Sequence, residues 1–505
     1  MLARKSLLIM SANIIDGVLA YVALFFISRD MGPTTYGILG FAMGFVGLFT
    51  ILNDLGFNSA HIKRVSEGKD LGTCNGTFII SKLGLSLILI GVTLGAILFW
   101  KIVVGRGFES SQQETAIYII LGYYIVNSLA GMFFNVFMAK KEIAKSEIPL
   151  IIGAVVRTAA IIFIATLKAD AIALAWTYVL GDSICLIAFM FLFRGNPVKK
   201  PSKECFKNYT VFAIPVILVG FSSTLITNLD KVLIQLFWSS EDVGYYFASY
   251  RIIQFLLVAA SSIGILLLPT ISSYHVKNDT ENIKKIMFLA ERYISMFIFP
   301  MVIGMIILAE PTVRILLSNN FHSAVPVFMI LPFFALLEAL SIPYTYQVMG
   351  MNKPKIARNR ILIMLCVNIV ANIILIPKDI QSLHLKLFGL GAIGAAISTV
   401  VCYMAGLIYC RIAAWKLLKS TMNIRILLHL FSACIMGITI YALQKIFPIQ
   451  RWYYLLGFAA LGLGIYLFIL FLLKEFSRDD WNFLIDVLNI KKMWNYITKE
   501  LKKDQ

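Results

Sequence analysis

The stretch Leu83-Gly84-Leu85-Ser86-Leu87-Ile88-Leu89-Ile90-Gly91-Val92-Thr93-Leu94-Gly95-Ala96-Ile97-Leu98-Phe99-Trp100 carries no charged residue. A helix needs about 20 apolar residues to cross a ~30 Å hydrocarbon core. With the apolar residues that precede Lys82, this stretch forms one such span over 76–100. Working outward, thirteen more are expected, near 7–28, 37–57, 115–138, 148–167, 171–193, 210–237, 244–269, 286–309, 325–350, 360–377, 389–410, 426–447 and 452–473. Composition agrees: of 505 residues, 59% are hydrophobic and only 14% are charged, with mean hydropathy +0.83. A soluble chain carries about 25% charged residues and cannot hide so much apolar surface. The sequence therefore predicts an all-α polytopic membrane protein with fourteen transmembrane helices.

The loops test that count. Those on the side of the N-terminus hold 31 Lys and Arg, counting Arg360 at the first position of its span, and those on the other side hold 8. One span too many or too few would scramble this alternation. The positive-inside rule then puts both termini in the cytoplasm, and a cell (plasma or inner) membrane is the expected location. The net charge of +18 reads as loop charge, not as a nucleic-acid surface. The start, Met1 to Lys5 followed by an apolar run, reads as a retained first helix, because no small-residue cleavage site follows it.

Other chemistry is excluded by pattern. The seven cysteines form no Cys-x-x-Cys pair, and the five histidines lack metal-ligand spacing. No Gly-x-x-x-x-Gly-Lys-[Ser/Thr] phosphate loop occurs. Neither a metal nor a cofactor is expected.

The chain also repeats itself. Gly32-Pro33-Thr34-Thr35-Tyr36-Gly37 corresponds to Ser239-Ser240-Glu241-Asp242-Val243-Gly244. Met138-Ala139-Lys140-Lys141-Glu142 corresponds to Met349-Gly350-Met351-Asn352-Lys353 at nearly the same offset, and Val156 to Val367. Six spans separate equivalents, so the halves share orientation, as in parallel-repeat transporters with a cargo site between halves. The expected division is an N-terminal lobe at 1–195, a C-terminal lobe at 196–412, an appended helix pair at 413–475 and a cytoplasmic tail at 476–505. In the tail, Val487, Ile490, Trp494, Ile497 and Leu501 step by three and four, as in an amphipathic helix.

Four segments then carry a family resemblance. They are Arg29-Asp30-Met31-Gly32-Pro33-Thr34-Thr35-Tyr36-Gly37 with Leu52-Asn53-Asp54-Leu55-Gly56; Leu229-Asp230-Lys231 through Tyr250-Arg251; Glu310-Pro311-Thr312-Val313-Arg314 into Ala324-Val325-Pro326; and Leu375-Ile376-Pro377 with Gly389-Leu390-Gly391-Ala392-Ile393-Gly394. In this order the chain resembles the oligosaccharide and polysaccharide flippases of the multidrug/oligosaccharidyl-lipid/polysaccharide (MOP) exporter superfamily. Ser318-Asn319-Asn320 departs from the pattern, where the family commonly has a glycine. The resemblance implies a V-shaped fold of two lobes, alternating access, and a cargo of polyprenyl-pyrophosphate-linked oligosaccharide moved to the outer leaflet. The expected partners are that cargo and membrane lipids, with H⁺ or Na⁺ as possible coupling ions; the protein is expected to work as a monomer.

Charges within spans are costly and mark candidate sites. Arg157 and Asp182 match in depth across a short turn, as do Asp230 and Arg251, so each pair reads as a structural ion pair or as part of the cavity. Lys231 points about 100° away from Asp230 and has no obvious partner. Arg292 and Lys82 lie near inner helix ends. Pyrophosphate requires cations in a wet cavity, for which Arg157, Lys231, Arg251, Arg292 and Lys82 are the candidates. An inside-negative potential would favour outward movement of the anion by ~2.3 kcal/mol per charge per 100 mV. Asp16 and Glu338 sit deep without an assignable cation and are candidates for ion coupling. Two alternatives stand beside the flippase. An ion-coupled multidrug exporter of the same superfamily would usually have twelve helices and carry amphipathic cations. A membrane glycosyltransferase or polymerase would need outer loops longer than these.

Overall fold

The computed structural model describes residues 2–105, 107–380, 385–419 and 423–476. Eighteen helices follow one another: α1 (Leu2–Phe26), α2 (Gly32–Gly47), α3 (Phe57–Ser66), α4 (Leu71–Phe99), α5 (Ser111–Ala139), α6 (Ile143–Thr166), α7 (Ala171–Phe193), α8 (Lys203–Phe237), α9 (Ser240–Gln254), α10 (Leu257–Val276), α11 (Thr280–Ile307), α12 (Ala309–Thr312), α13 (Val325–Ile330), α14 (Pro332–Gly350), α15 (Pro354–Leu375), α16 (Gly391–Leu418), α17 (Arg425–Ile446) and α18 (Trp452–Leu472). A two-residue hairpin, Asp379–Ile380 with Leu385–Lys386, links α15 to α16. The tail helix expected beyond Ser477 lies outside the described residues.

Apolar content makes these segments helical in a membrane, where every backbone group needs an internal partner. Polar caps set where they begin. Asp70, Ser110, Asp170, Ser202, Ser239 and Asp279 each accept a backbone N–H three residues on, starting α4, α5, α7, α8, α9 and α11.

Among the described residues, twelve helical stretches are long and apolar enough to cross a membrane, two fewer than expected. The difference has two sources. The expected spans 7–28 and 37–57 fall in one helical stretch of 37 residues, Ser11–Gly47. The expected span 244–269 is divided at Phe255 and Leu256, whose N–H groups bond three residues back, to Ile252 and Ile253.

The long stretch nevertheless doubles back. Gly32, at φ 81°, turns the chain between α1 and α2. Tyr21 of α1 then donates to the Ile252 carbonyl (2.8 Å), and a Cβ on Gly17 would meet Phe255. On α2, Gly37 lies against Gly244 and Gly40 against Phe247. Thus α1 and α2 pass α9 in opposite senses.

Packing follows one plan twice. In the first half α6 packs on α1 and α7, and α5 on α7; in the second α15 packs on α8 and α16, and α14 on α16. The largest apolar core draws on both halves, with Leu39, Phe41, Ile120 and Leu174 from one and Ile253, Phe328 and Ala395 from the other. A separate cluster around Phe299, Met436, Tyr466 and Leu470 seats α17 and α18 on α11. The first part of α8 departs from the second half: Tyr209 bonds His61 of α3 (2.9 Å) and sits over Cys74 of α4.

Candidate functional site

The two halves are fastened at the end that carries the sparsely charged loops. Glycines 37, 40, 44 and 47 share one face of α2, which lets α8 and α9 approach closely. The tightest contact is reciprocal. A Cβ on Gly37 would lie 1.6 Å from the Ser240 carbonyl oxygen, and one on Gly244 would lie 2.1 Å from that of Pro33. Nearby, Glu109 accepts from the Ser240 N–H (2.9 Å), the Ser240 hydroxyl (2.6 Å) and Gln235 Nε2 (2.6 Å). Hydrogen bonds to a charged group contribute ~1.5–3 kcal/mol each. A second clasp joins Arg29 to the Ile315 carbonyl (2.7 Å) and Ser28 to Leu316 and Ser318.

Just beyond the crossing, three expected cations converge. Phe247, stacked on Tyr36 at 4.8 Å, has Lys231 Nζ and the Arg251 guanidinium each 5.4 Å from its ring centre. Lys231 also donates to Asn228 Oδ1 (2.8 Å). Arg251 is solvent-accessible, yet its electrostatic neighbours come from three helices: Tyr36 of α2, Tyr123 and Tyr124 of α5, and Tyr178 of α7. It therefore faces an internal space. Among the described residues neither Lys231 nor Arg251 has a carboxylate partner in an ion pair. Arg157 borders two of these tyrosines, Tyr123 and Tyr178, with its guanidinium 5.5 Å from the Tyr178 ring centre.

Arg157 is bracketed by acids. Its expected partner Asp182 lies at 3.9 Å, and Asp16, expected to have no cation, lies at 3.2 Å. Asn127 Nδ2 donates to the other side of Asp182 (2.8 Å). Glu338, also expected without a cation, pairs with Arg360, which donates to Ser341 as well (2.9 Å).

The expected pair Asp230–Arg251 is not formed. The two match in depth but face different ways. Asp230 turns toward α15 and α16, where it is fully buried and accepts from Tyr246 (2.5 Å), Asn372 (2.6 Å), Thr399 (2.9 Å) and Asn368 (3.3 Å). Arg292 and Lys82 also stand apart from the three converging cations. Arg292 is buried against Glu475, Nε to Oε1 at 2.5 Å, where Arg425 and His429 also meet that carboxylate. Lys82 is buried and donates to the Asn53 carbonyl (2.7 Å), holding the turn after α2.

Sequence reasoning missed Asn127, Glu147, Tyr123 and the pair Asn368–Asn372. Uncharged polar residues in a span give no depth signal of their own, and Glu147 was counted with an inner loop. The glycine face of α2 was legible as a spacing of three, four and three.

The fold is that of a MOP exporter. It superposes on an inward closed conformation of the lipid II flippase MurJ with a TM-score of 0.75 and 14% identity, covering 91% of this chain and 97% of that one. An inward-facing multidrug resistance MATE family transporter of the MOP superfamily gives 0.64 and 16%, covering 81% and 96%. The polysaccharide biosynthesis protein family matches residues 11–326, and the chain belongs to that family. A curated relative, the probable low-salt glycan biosynthesis flippase Agl15 of Haloferax volcanii, is 22% identical over 406 residues, 80% of this chain and 81% of its own.

Proposed function

We propose that this multi-pass membrane protein is a flippase that carries a polyprenyl-pyrophosphate-linked oligosaccharide from the inner to the outer leaflet by alternating access. The observation that carries this reading is the convergence of Lys231, Arg251 and Arg157 on one tyrosine-lined interior space. Lys231 and Arg251, which form no ion pair with a carboxylate among the described residues, supply positive charge for the pyrophosphate in a region where an unpaired anion is costly. The same charge repels the amphipathic cations that a multidrug exporter carries. The resemblance to a probable glycan biosynthesis flippase supports a sugar-bearing cargo.

The reading includes fourteen crossings, because α1 and α2 run in opposite senses and α9–α10 together have the length of a span. It takes the two equivalent packing arrangements as parallel repeats, with α17 and α18 appended, both termini in the cytoplasm, and a monomer in the plasma or inner membrane. Asp16 and Glu338 already hold guanidinium partners, so H⁺ or Na⁺ coupling through either would require displacing an arginine.

The test is transfer of fluorescent lipid-pyrophosphate-linked sugar between leaflets of vesicles containing the purified protein. Arg251→Ala and Lys231→Ala are each expected to slow transfer at least ~10-fold, the equivalent of ~1.4 kcal/mol and the low end for a lost charged hydrogen bond. Transfer at the wild-type rate in both variants, with melting temperatures unchanged, overturns the proposal.

A further inference from the structure

A second compartment adjoins the cations. A cavity of about 320 Å³ lies between α1, α5, α6 and α7, with Asp16, Tyr123, Asn127, Glu147, Arg157 and Asp182 among its lining residues. None of its lining residues comes from α8 or α9. Its charge is the reverse of the neighbouring site, with three carboxylates against one guanidinium, and Arg157 is held between two of the three. The third, Glu147, is only 5% exposed, lines the cavity, and makes no hydrogen bond or ion pair with any described residue. Its carboxylate therefore takes its hydrogen bonds from the water or ligand that fills the cavity.

Such a pocket repels pyrophosphate. A metal cation placed between Asp16 and Asp182 would abut the fixed guanidinium of Arg157. What the lining does suit is a neutral ligand dense in hydroxyls. Carboxylates accept from adjacent hydroxyls, an amide accepts and donates, a guanidinium donates, and the face of Tyr123 offers apolar area to ring C–H groups. The volume is near the lower end of the ~300–1,000 Å³ typical of small-molecule sites. Glu147 and Arg157 lie ten residues apart on α6, about 15 Å along the helix axis, so the pocket is elongated. At one end it meets the cation site, because Tyr123 and Tyr178 neighbour both Arg157 and Arg251.

We propose that the pocket between α1, α5, α6 and α7 is the subsite that reads the sugar of the cargo, with Glu147, Asn127 and Tyr123 as its specificity-determining residues, while Lys231 and Arg251 hold the pyrophosphate. This rests on the flippase reading and adds a division of labour to it. The cargo lies with its phosphates beside Phe247 and its sugar directed along α6. Discrimination then comes from hydroxyl positions, because a site built to hydrogen-bond rejects analogues that leave its buried groups unpaired.

The experiment measures equilibrium binding to the purified full-length protein. Its probes are undecaprenyl pyrophosphate and the same lipid bearing a hexose, an N-acetylhexosamine, a deoxyhexose or a hexuronate. Wild type is expected to bind at least one sugar-bearing lipid about tenfold or more tightly than the bare lipid. Glu147→Ala and Asn127→Ala are expected to erase that gain and leave affinity for the bare lipid unchanged; Tyr123→Phe keeps the gain. Glu147 has no partner to strand, so its variant is expected to melt with wild type. Equal binding of all five lipids by wild type, or a gain that survives both alanine variants, overturns the sugar subsite. The flippase reading survives that result provided Arg251→Ala weakens binding of the bare lipid. Failure of wild type to bind any of the lipids overturns both readings. Saturable binding of ²²Na⁺ that Glu147→Ala abolishes makes the pocket a cation site and also overturns the proposal.

Discussion

Gly244→Leu is expected to separate α2 from α9 and, on the flippase function proposed above, to slow leaflet transfer at least tenfold. Even a methyl at this position would start 2.1 Å from the Pro33 carbonyl oxygen, and one on the facing Gly37 would start closer still, 1.6 Å from that of Ser240. Both obstacles are backbone atoms, so no rotamer change relieves the clash. Overpacking a core costs ~1–3 kcal/mol when side chains can adjust; here whole helices must move. The Glu109 clasp is anchored on Ser240, four residues from Gly244, so displacing α9 also breaks that set of bonds. Spin labels on exposed Gln112 and Glu241 are expected to show a longer distance in the variant, alongside the fall in leaflet transfer. Gly37→Leu should behave alike, because its clash is on the same contact. An unchanged label distance with a normal transfer rate would show that this crossing does not hold the outer ends together.

Asp230→Ala is expected to destabilise the protein by about 3–5 kcal/mol, the range for losing one partner from a buried charged network. Four side chains from three helices direct donors at this one carboxylate: Tyr246 of α9, Asn368 and Asn372 of α15, and Thr399 of α16. Each buried donor left without an acceptor costs ~1–3 kcal/mol. The loss is smaller than the sum because Tyr246 and Thr399 still reach each other at 3.0 Å. Asp230→Asn retains one acceptor oxygen and should fall between wild type and Ala. Chemical denaturation in detergent checks the order. An alanine variant within about 1 kcal/mol of wild type would show that the donors find other partners or water.

The spans were legible because a hydrocarbon solvent imposes a length and a composition that no soluble segment matches. The number of separate stretches was less so. The turn at Gly32 and the break at Phe255–Leu256 are local backbone events within apolar sequence, and hydropathy does not register them. For the site, depth was readable and rotation was not. Arg157 and Asp182 meet because a turn of a few residues holds α6 and α7 side by side and both face inward. Asp230 and Arg251 match equally well in depth, but each lies on a face chosen by long-range packing, one toward α15 and α16, the other toward α5 and α7. Arg292 was expected in the cavity; its partner Glu475 is 183 residues away, and only the docking of α17 and α18 brings the two together. Asp16 found Arg157 across 141 residues for the same reason. The glycines of α2 were visible but uninterpreted, because close approach has meaning only once the neighbouring helix is known.

Phe247 belongs to two assemblies at once. Its ring fills the space that Gly40 leaves on α2, and both Lys231 and Arg251 approach it. Thermodynamic linkage requires that if seating this ring changes the affinity for an anion at the two cations by some factor, an anion bound there changes the equilibrium of the crossing by the same factor. In the proposed flippase, cargo is then an allosteric ligand of its own exit. A sugar-free pyrophosphate lipid, which engages the cations alone, would shift the conformational balance without offering anything to export, and would act as a competitive brake on the cycle.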